Sequence, residues 1–382
     1  MTAWIIGAFC LFLCFFSYLI DLHVIRIFYK VPLLKNISST LLSQWPKLSV
    51  VIAARDEEDT LGPALDMLLK QDYPNLEIIL VDDRSTDKTS EIIDNIASHD
   101  RRVKTIHISD LPKGWLGKVH ALDEGTKQAT GEWMLYTDAD VRMHQGLLKK
   151  TIAYVTHQNL DHLSLMPTPQ VASFWLDVAI YTFGMYFLVG MKAHQCDAIG
   201  IGAFNLVKRF TLNRTEGIRW LKMEVADDVG LGILINKTGA KSAFIIAHEE
   251  ISLAWYLSLK GMFQGLEKNM FGTIARYSYL RMTGIIMLIW AFVSAPLLCI
   301  IFFPHLRAFG ILAYLLMLIC GFIGNKIFQK PILPAIFTPV GHIFFSLMLL
   351  RSGFMCFLNH GIKWRGTFYS ISELKKSQRV KL

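Results

Sequence analysis

The sequence predicts an α/β fold with a mostly parallel sheet, joined to transmembrane α-helices. Residues 47–140 alternate short apolar strands with helical segments, and strands that are apolar along their whole length are typical of a parallel sheet covered on both faces. Apolar residues make up 53% of the chain and charged residues only 18%, which is more apolar than ordinary soluble domains. Because this excess lies in residues 3–25 and after about residue 279, the pattern indicates a membrane protein with a soluble insert.

Residues 1–30 are predicted to form an N-terminal transmembrane anchor. The run 3–20 is apolar and uncharged, and about 20 such residues span a bilayer. A cleaved signal peptide is the alternative, but no basic segment precedes the run and no A-x-A site follows it. We expect Arg26, Lys30 and Lys35 on the cytoplasmic side, because basic flanks favour that side.

The α/β region begins near residue 47, and its elements follow from apolar periodicity and capping residues. Asp59 or Thr60 is predicted to cap the first helix, and a cluster at 85–87 opens the second. Ligands of parallel sheets bind outside the carboxyl ends of the strands, and polar segments at 54–57, 82–84 and 138–140 fall at those ends. The predicted strands are 48–54, 76–83, 103–109 and 132–140, and the predicted helices are 59–71, 85–98 and 118–129.

Further apolar segments follow in the second half of the chain. Residues 173–192 contain Asp177 and several aromatic residues, which favours a helix at the membrane surface, or a buried helix, over a span. Residues 279–358 are predicted to be C-terminal transmembrane helices in three apolar blocks. The last block is interrupted by prolines, so a partly re-entrant segment is an alternative there. We expect the basic tail, 359–382, in the cytoplasm.

The net charge of +8 does not indicate a nucleic-acid partner. No basic run with interleaved aromatic residues occurs in the middle of the chain, and much of the surplus lies beside apolar segments. Such basic flanks are typical of cytoplasmic membrane boundaries.

Asp138 and Asp140 form a D-x-D pair at the end of the predicted strand 132–140. Side chains at i and i+2 of a strand share a face, so both carboxylates point the same way if the strand persists. Adjacent carboxylates repel, and a cation must neutralise them or one must take a proton. Mg²⁺ or Mn²⁺ suits oxygen ligands and also binds phosphate oxygens. A lone D-x-D is more often a solvated turn, but the neighbouring acidic strand ends favour a metal site.

Five ordered motifs resemble the family 2 glycosyltransferases, which have the GT-A fold. They are VVIAARDEEDTL, IILVDDRSTDKT, GKVHALDEG, YTDADV and ADDVGLG. The resemblance covers roughly residues 47–270. It implies a cytoplasmic catalytic domain at 45–278, with a nucleotide-sugar-binding half at 47–140 and an acceptor-binding half at 141–278.

The resemblance also implies how the donor is bound. Ala54, Arg55 and Glu57 would hold the nucleotide base and ribose, and Asp83 would accept from the uracil N–H. Lys118, at a predicted helix start, would meet a phosphate together with free backbone N–H groups. Arg55 and Glu57 as a surface ion pair, and Lys118 as a plain helix-start residue, remain alternatives.

The resemblance also implies which acidic residues bind the metal ion and which one acts as the base. Asp138 and Asp140 would bind the metal ion and, through it, the diphosphate. Asp228 would be the general base that takes the proton of an acceptor hydroxyl and so gives inversion. Asp227 stands where the family has Glu, so it is the alternative base. Both acids could instead only cap the helix that follows.

The sequence lacks Q-x-x-R-W after Asp228, a motif typical of polymerising members of the family. KWRGTFY, at 363–369, resembles a motif in hopanoid- and carotenoid-type lipid glycosyltransferases. Arg365 could contact the diphosphate, or could be an interfacial anchor. The prediction is an inverting hexosyltransferase of a bacterial-type cell membrane that moves one sugar from a nucleotide-sugar, expected to be UDP-linked, to a lipid. A processive polysaccharide synthase and a non-catalytic nucleotide-binding subunit are the alternatives.

Overall fold

A mostly parallel sheet of eight strands organises the middle of the chain in the computed structural model, which describes residues 2–37, 42–169, 173–193 and 198–381. The strand order is β3-β2-β1-β4-β7-β6-β8-β5. Strands β1 to β4 pair in parallel, whereas β7 is antiparallel to both of its neighbours. The strands are β1 Leu48–Ala54, β2 Leu76–Asp83, β3 Val103–Ile108, β4 Trp133–Asp138, β5 Arg142–Met143, β6 His162–Pro169, β7 Asn205–Lys208 and β8 Ser242–Leu253. A separate hairpin follows near the C-terminus, with strands β9 Gly361–Trp364 and β10 Thr367–Ser370.

The central strands confirm the predicted α/β class. Strands β1 and β2 have the predicted bounds, and β2 is buried along its whole length, as expected for a parallel sheet with both faces covered. Strand β4 ends at Asp138, two residues before the predicted end. The Asp138 N–H donates to the carbonyl of Gly202 (3.0 Å). Asp140 lies in the turn that follows the strand.

The helices lie on both sides of the sheet and beyond it. The predicted helix 85–98 begins later, at Thr89, and the Asp87 carboxylate accepts from the Thr89 N–H (3.0 Å) in the turn that precedes it. The helices are α1 Thr2–Lys30, α2 Leu61–Leu69, α3 Thr89–His99, α4 Gly117–Gln128, α5 Leu147–His157, α6 Phe174–Ala193, α7 Arg209–Asn213, α8 Asp227–Asn236, α9 Leu259–Gly265, α10 Met270–Thr273, α11 Tyr279–Phe302, α12 Arg307–Ile327, α13 Thr338–Asn359 and α14 Ile371–Ser377.

Four helical segments among the described residues are long and apolar enough to cross a membrane: 4–30, 279–302, 304–327 and 333–359. Three of them, α1, α11 and α12, pack together. The Sγ atoms of Cys14 and Cys299 are 3.9 Å apart, and the rings of Phe16 and Phe292 stack at 5.7 Å. These contacts join the N-terminal helix to the C-terminal helices.

Helix α13 has different neighbours, because it packs on the α/β domain as well as on α11. Its Ser352 hydroxyl donates to the Glu267 carbonyl (2.6 Å), and its His342 ring pairs with the Tyr186 hydroxyl of α6 (2.8 Å). Helix α6 is itself largely buried, and its Asp177 lies 3.6 Å from Lys330. Helices α6 and α13 therefore connect the domain to the membrane helices.

The C-terminal tail folds back onto the α/β domain. Arg365 donates to the Asp56 carbonyl (3.2 Å), the Gly117 N–H donates to the Tyr369 hydroxyl (3.2 Å), and the Val380 N–H donates to Glu224 (2.9 Å). The tail and the domain therefore lie on the same side of any membrane that the helices cross. The number of complete crossings between residues 279 and 359 is then even, so α11 and α12 can both cross while α13 does not.

Candidate active site

A lysine between carboxylates marks the centre of the candidate site. Lys118 is the second residue of α4, and its Nζ lies 2.8 Å from Asp138 Oδ1 and 3.2 Å from Asp227 Oδ2. Burial disfavours the ammonium, but Asp138, Asp227 and Asp228 outweigh it and raise the pKa of Lys118 well above its usual value. The site thus joins the start of α4, the end of β4 and the start of α8, where the sequence predicted that separate motifs converge.

Asp228 is held by backbone donors. Its Oδ2 accepts from the Gly202 N–H and its Oδ1 from the Val229 N–H, each at 2.8 Å. Burial, and then the charge of Asp227, raise the pKa of Asp228 to about 6. Because each carboxylate oxygen can accept more than one hydrogen bond, Asp228 keeps acceptor capacity for a proton.

Asp227 has a different environment from Asp228. It is buried and paired with the Lys118 ammonium, and burial raises its pKa. The helix begins at Asp227, so both acids also lie in its first turn, where negative charge is favourable. Their position at a helix start is therefore compatible with a catalytic role for either acid.

Asp138 and Asp140 differ in charge state, although they are two residues apart. Burial opposes ionisation of Asp138, but Lys118 holds its pKa below the usual value. Burial, followed by the charges of Asp138 and Glu57, raises the pKa of Asp140 to about 7. Among the described residues, no cation lies within ion-pair distance of Asp140. Asp140 therefore has the environment of a carboxyl group that lacks a counter-ion.

The two carboxyls fit a divalent cation that is completed by substrate. No group of three or more His, Cys, Asp or Glu residues that could hold a metal occurs in the ranges that the structure describes. Mg²⁺ commonly binds one or two carboxylates together with substrate phosphates and water. Asp138 and Asp140 would be that smaller set of ligands, as the sequence predicts, and no described cation lies within ion-pair distance of Asp140.

Asp83, at the carboxyl end of β2 where the sequence predicts the nucleotide, is buried and paired with arginine. Arg84 donates to Asp83 through Nε (2.8 Å) and Nη2 (3.2 Å), and Arg55 Nη1 lies 3.9 Å away. Sequence reasoning missed Arg84, although it directly follows the second acid of IILVDDR. Both Asp83 oxygens accept from Arg84. A uracil N–H could therefore donate to Asp83 only at a lone pair that Arg84 does not occupy. Ala54 ends β1 opposite Asp82, the residue before this acid, and is buried.

Arg55 and Glu57 do not form the predicted alternative pair, since each contacts the C-terminal hairpin instead. Arg55 Nη1 donates to the Thr367 hydroxyl (3.4 Å). Glu57 is paired with Arg365 and also accepts from the Thr60 hydroxyl (2.6 Å). The hairpin thus lies over the part of the edge where the sequence predicts the nucleotide.

Lys268 is a further charged residue of the site that sequence reasoning did not single out. Its only sequence signal is a basic residue in FQGLEKNMFG. Burial, and then the charge of Lys118, lower the pKa of Lys268 to about 8, although Asp227 and Asp138 oppose this. Lys268 therefore shares the electrostatic environment of the central cluster.

Comparison with known proteins shows which family and which fold the α/β domain resembles. Residues 49–172 match the family model described as glycosyl transferase family 2. The described fold resembles that of the mannosyltransferase PcManGT from Pyrobaculum calidifontis, solved with GDP-mannose and Mn²⁺, with a TM-score of 0.55 at 17% identity over 90% of this chain and 99% of that one. Residues 49–172 therefore resemble glycosyl transferase family 2, and the α/β domain that contains them has a GT-A fold.

Two curated relatives act on lipid-linked acceptors according to their names. The beta-monoglucosyldiacylglycerol synthase of Synechocystis is 26% identical over 57% of this chain and 49% of its own length. The GalNAc(5)-diNAcBac-PP-undecaprenol beta-1,3-glucosyltransferase of Campylobacter jejuni is 32% identical over 31% of this chain and 37% of its own. The chain thus spans about half or less of the length of these relatives.

Proposed function

We propose that this protein transfers a single sugar from a nucleotide-sugar, most simply a UDP-sugar, to a lipid at the membrane surface, with inversion at the anomeric carbon. The observation that carries the proposal is the cluster of Lys118, Asp138, Asp227 and Asp228 at the carboxyl end of the parallel strands, where ligands of such sheets bind.

The donor would lie along this edge of the sheet. The nucleotide would occupy the region of Ala54, Arg55, Glu57 and Asp83, under the C-terminal hairpin. A divalent ion held by Asp138 and Asp140 would supply charge neutralisation for the diphosphate. Lys118 would contribute a second positive charge, exchanging part of its contact with carboxylates for phosphate oxygens.

Asp228 would be the general base. A raised pKa near 6 leaves its carboxylate largely ionised at pH 7, yet more basic than an ordinary aspartate. The acceptor oxygen would attack the anomeric carbon as its proton passes to Asp228. The bond from that carbon to the diphosphate oxygen would break on the opposite face, and the electron pair would leave with the nucleoside diphosphate. Asp227, paired with Lys118, would supply the negative charge that helps to raise the pKa of Asp228.

A lipid acceptor is supported by the position of the domain and by the relatives. The domain contacts α6 and α13, which lie against the helices long enough to span a membrane, and both curated relatives are named for lipid-linked acceptors. We propose residues 1–30 as the anchor, 45–278 as a cytoplasmic catalytic domain, and the helix 173–192 as part of the acceptor entry.

The test uses membranes that carry the full chain. They are incubated with a panel of labelled nucleotide-sugars and Mg²⁺ or Mn²⁺, and lipids are then extracted and separated. One labelled lipid carrying one sugar supports the proposal. A ladder of oligomers would support the processive synthase instead, and nucleotide binding without transfer from any donor would support the non-catalytic subunit.

A further inference from the structure

Lys268 differs from the other basic residues of the site because no carboxylate neutralises it. Among the residues that the structure describes, no carboxylate oxygen lies within 4.0 Å of its ammonium, whereas Lys118 has two such partners. The half-buried side chain instead places its ammonium 3.9 Å from the ring centroid of Trp364. A partly desolvated cation on an aromatic face is stabilised less completely than one paired with an anion.

The backbone around Lys268 is held in place by α13. Lys268 ends a short 3-10 turn, Leu266–Lys268. Within this turn, the Glu267 carboxylate accepts from Arg351 (2.9 Å) and the Glu267 carbonyl accepts from the Ser352 hydroxyl (2.6 Å). These contacts with α13 therefore fix the position of the backbone at Lys268.

Trp364 brings the C-terminal hairpin to the same place. It ends β9 and pairs with Thr367 across a turn in which Arg365 and Gly366 have positive φ angles of 45° and 75°. Arg365 is paired with Glu57 at the nucleotide end, and its charge also acts on Lys268. The hairpin thus connects Lys268 to the region assigned to the donor.

We propose that Lys268 is an additional diphosphate-binding residue and that Trp364 is a positioning residue that holds its ammonium toward the donor. This rests on the proposed function, because it assumes a nucleoside diphosphate in the site. The donor diphosphate gains negative charge as the sugar leaves, and Lys268 would pair with it. A charge-assisted hydrogen bond of this kind strengthens as that charge develops.

Nucleotide binding to the purified full chain, measured by titration calorimetry with Mg²⁺ and without acceptor, tests the proposal. UDP, GDP and ADP are compared with their monophosphates and nucleosides. We expect Lys268→Met to weaken binding of the preferred diphosphate about tenfold, the size of one charge-assisted contact, and to leave nucleoside binding unchanged. Lys268→Arg should restore most of the affinity.

Trp364→Leu should weaken diphosphate binding less than Lys268→Met does, and Trp364→Phe should preserve it, because a phenyl ring still offers an aromatic face. Lys260→Met is the matched control, since Lys260 is an exposed lysine of the same segment, and it should change nothing. Lys268→Gln provides a second charge removal should the methionine variant fail to fold.

Equal diphosphate affinity in the wild type and in the folded Lys268→Met or Lys268→Gln variant would overturn the proposal. So would an equal loss for nucleoside and diphosphate, which would indicate a structural effect. Transfer activity is measured separately. Diphosphate binding that depends on Lys268, in a protein that transfers no sugar, would refute the proposed function while leaving this inference standing.

Discussion

Asp228 and Asp227 are adjacent acids with separate contacts. Asp228 accepts from two backbone N–H groups, whereas Asp227 is paired with Lys118. If Asp228 is the base, Asp228→Asn should lower transfer about 10²- to 10⁴-fold, the usual contribution of general-base catalysis, while donor binding changes little. Asp227→Asn should instead strengthen donor binding, because it removes a carboxylate that competes with the diphosphate for the Lys118 ammonium.

Labelled sugar recovered in the lipid fraction measures transfer, and calorimetry measures donor binding. Asp66→Asn is the control, since this exposed carboxylate pairs only with Lys70 on the surface of α2. An Asp228→Asn enzyme with full transfer activity would exclude Asp228 as the base, and an inactive Asp227→Asn enzyme with normal donor binding would favour Asp227.

The raised pKa of Asp228 predicts how the transfer rate depends on pH. Because the base must be ionised, the rate at saturating donor should be level above pH 6 and fall about tenfold per pH unit well below it. Lys118 lowers the pKa of Asp228, so removing that ammonium in Lys118→Met should move the acid limb to higher pH. Pre-steady-state transfer measured across pH 5 to 8 would reveal the shift, and an unchanged limb would argue against Asp228 as the titrating group.

At the scale of elements, a loop before β7 brings the end of β4 close to the start of α8. Gly202 lies in this loop, and a Cβ there would be 2.6 Å from Asp138 Oδ2. Gly202→Ala should therefore displace the carboxylate and reduce transfer at least tenfold, with a smaller effect on the melting temperature. Gly62→Ala, in α2 where a Cβ meets nothing within 4 Å, should leave activity unchanged and slightly stabilise the helix. Normal activity in Gly202→Ala would mean that the position of Asp138 is not critical.

Sequence reasoning was successful for the strands and incomplete for the contacts between distant segments. The bounds of β1 and β2 followed from apolar runs, because a fully covered strand must be apolar along its length. Local patterns also singled out Asp138, at a predicted strand end, whereas Asp228 followed only from the resemblance to family 2 glycosyltransferases. Local patterns could not show Lys118 between the acids, or Arg84 on Asp83, because side-chain pairing depends on the packed geometry. The contact of Lys268 with Trp364 joins residues far apart in sequence, which no local pattern encodes.

At the scale of the whole molecule, the fold constrains the membrane topology. The hairpin and the tail contact the α/β domain, so both must face the same compartment, which we propose is the cytoplasm. The turn between α11 and α12 should then face the opposite side. The ring of His305, in this turn, lies 5.4 Å from the ring of Trp4 at the beginning of α1, so the two segments should share that side.

Single added cysteines test this arrangement through labelling by a membrane-impermeant maleimide in sealed vesicles of known orientation. Ser377→Cys, at the end of α14, and Ser98→Cys, on α3, should react from one side, and His305→Cys from the other. The parent chain is the control, because its described cysteines are buried. Labelling of Ser377→Cys and Ser98→Cys from opposite sides would contradict the even number of crossings. It would also separate the hairpin from the donor site, since Arg365 could not reach Glu57 across a bilayer.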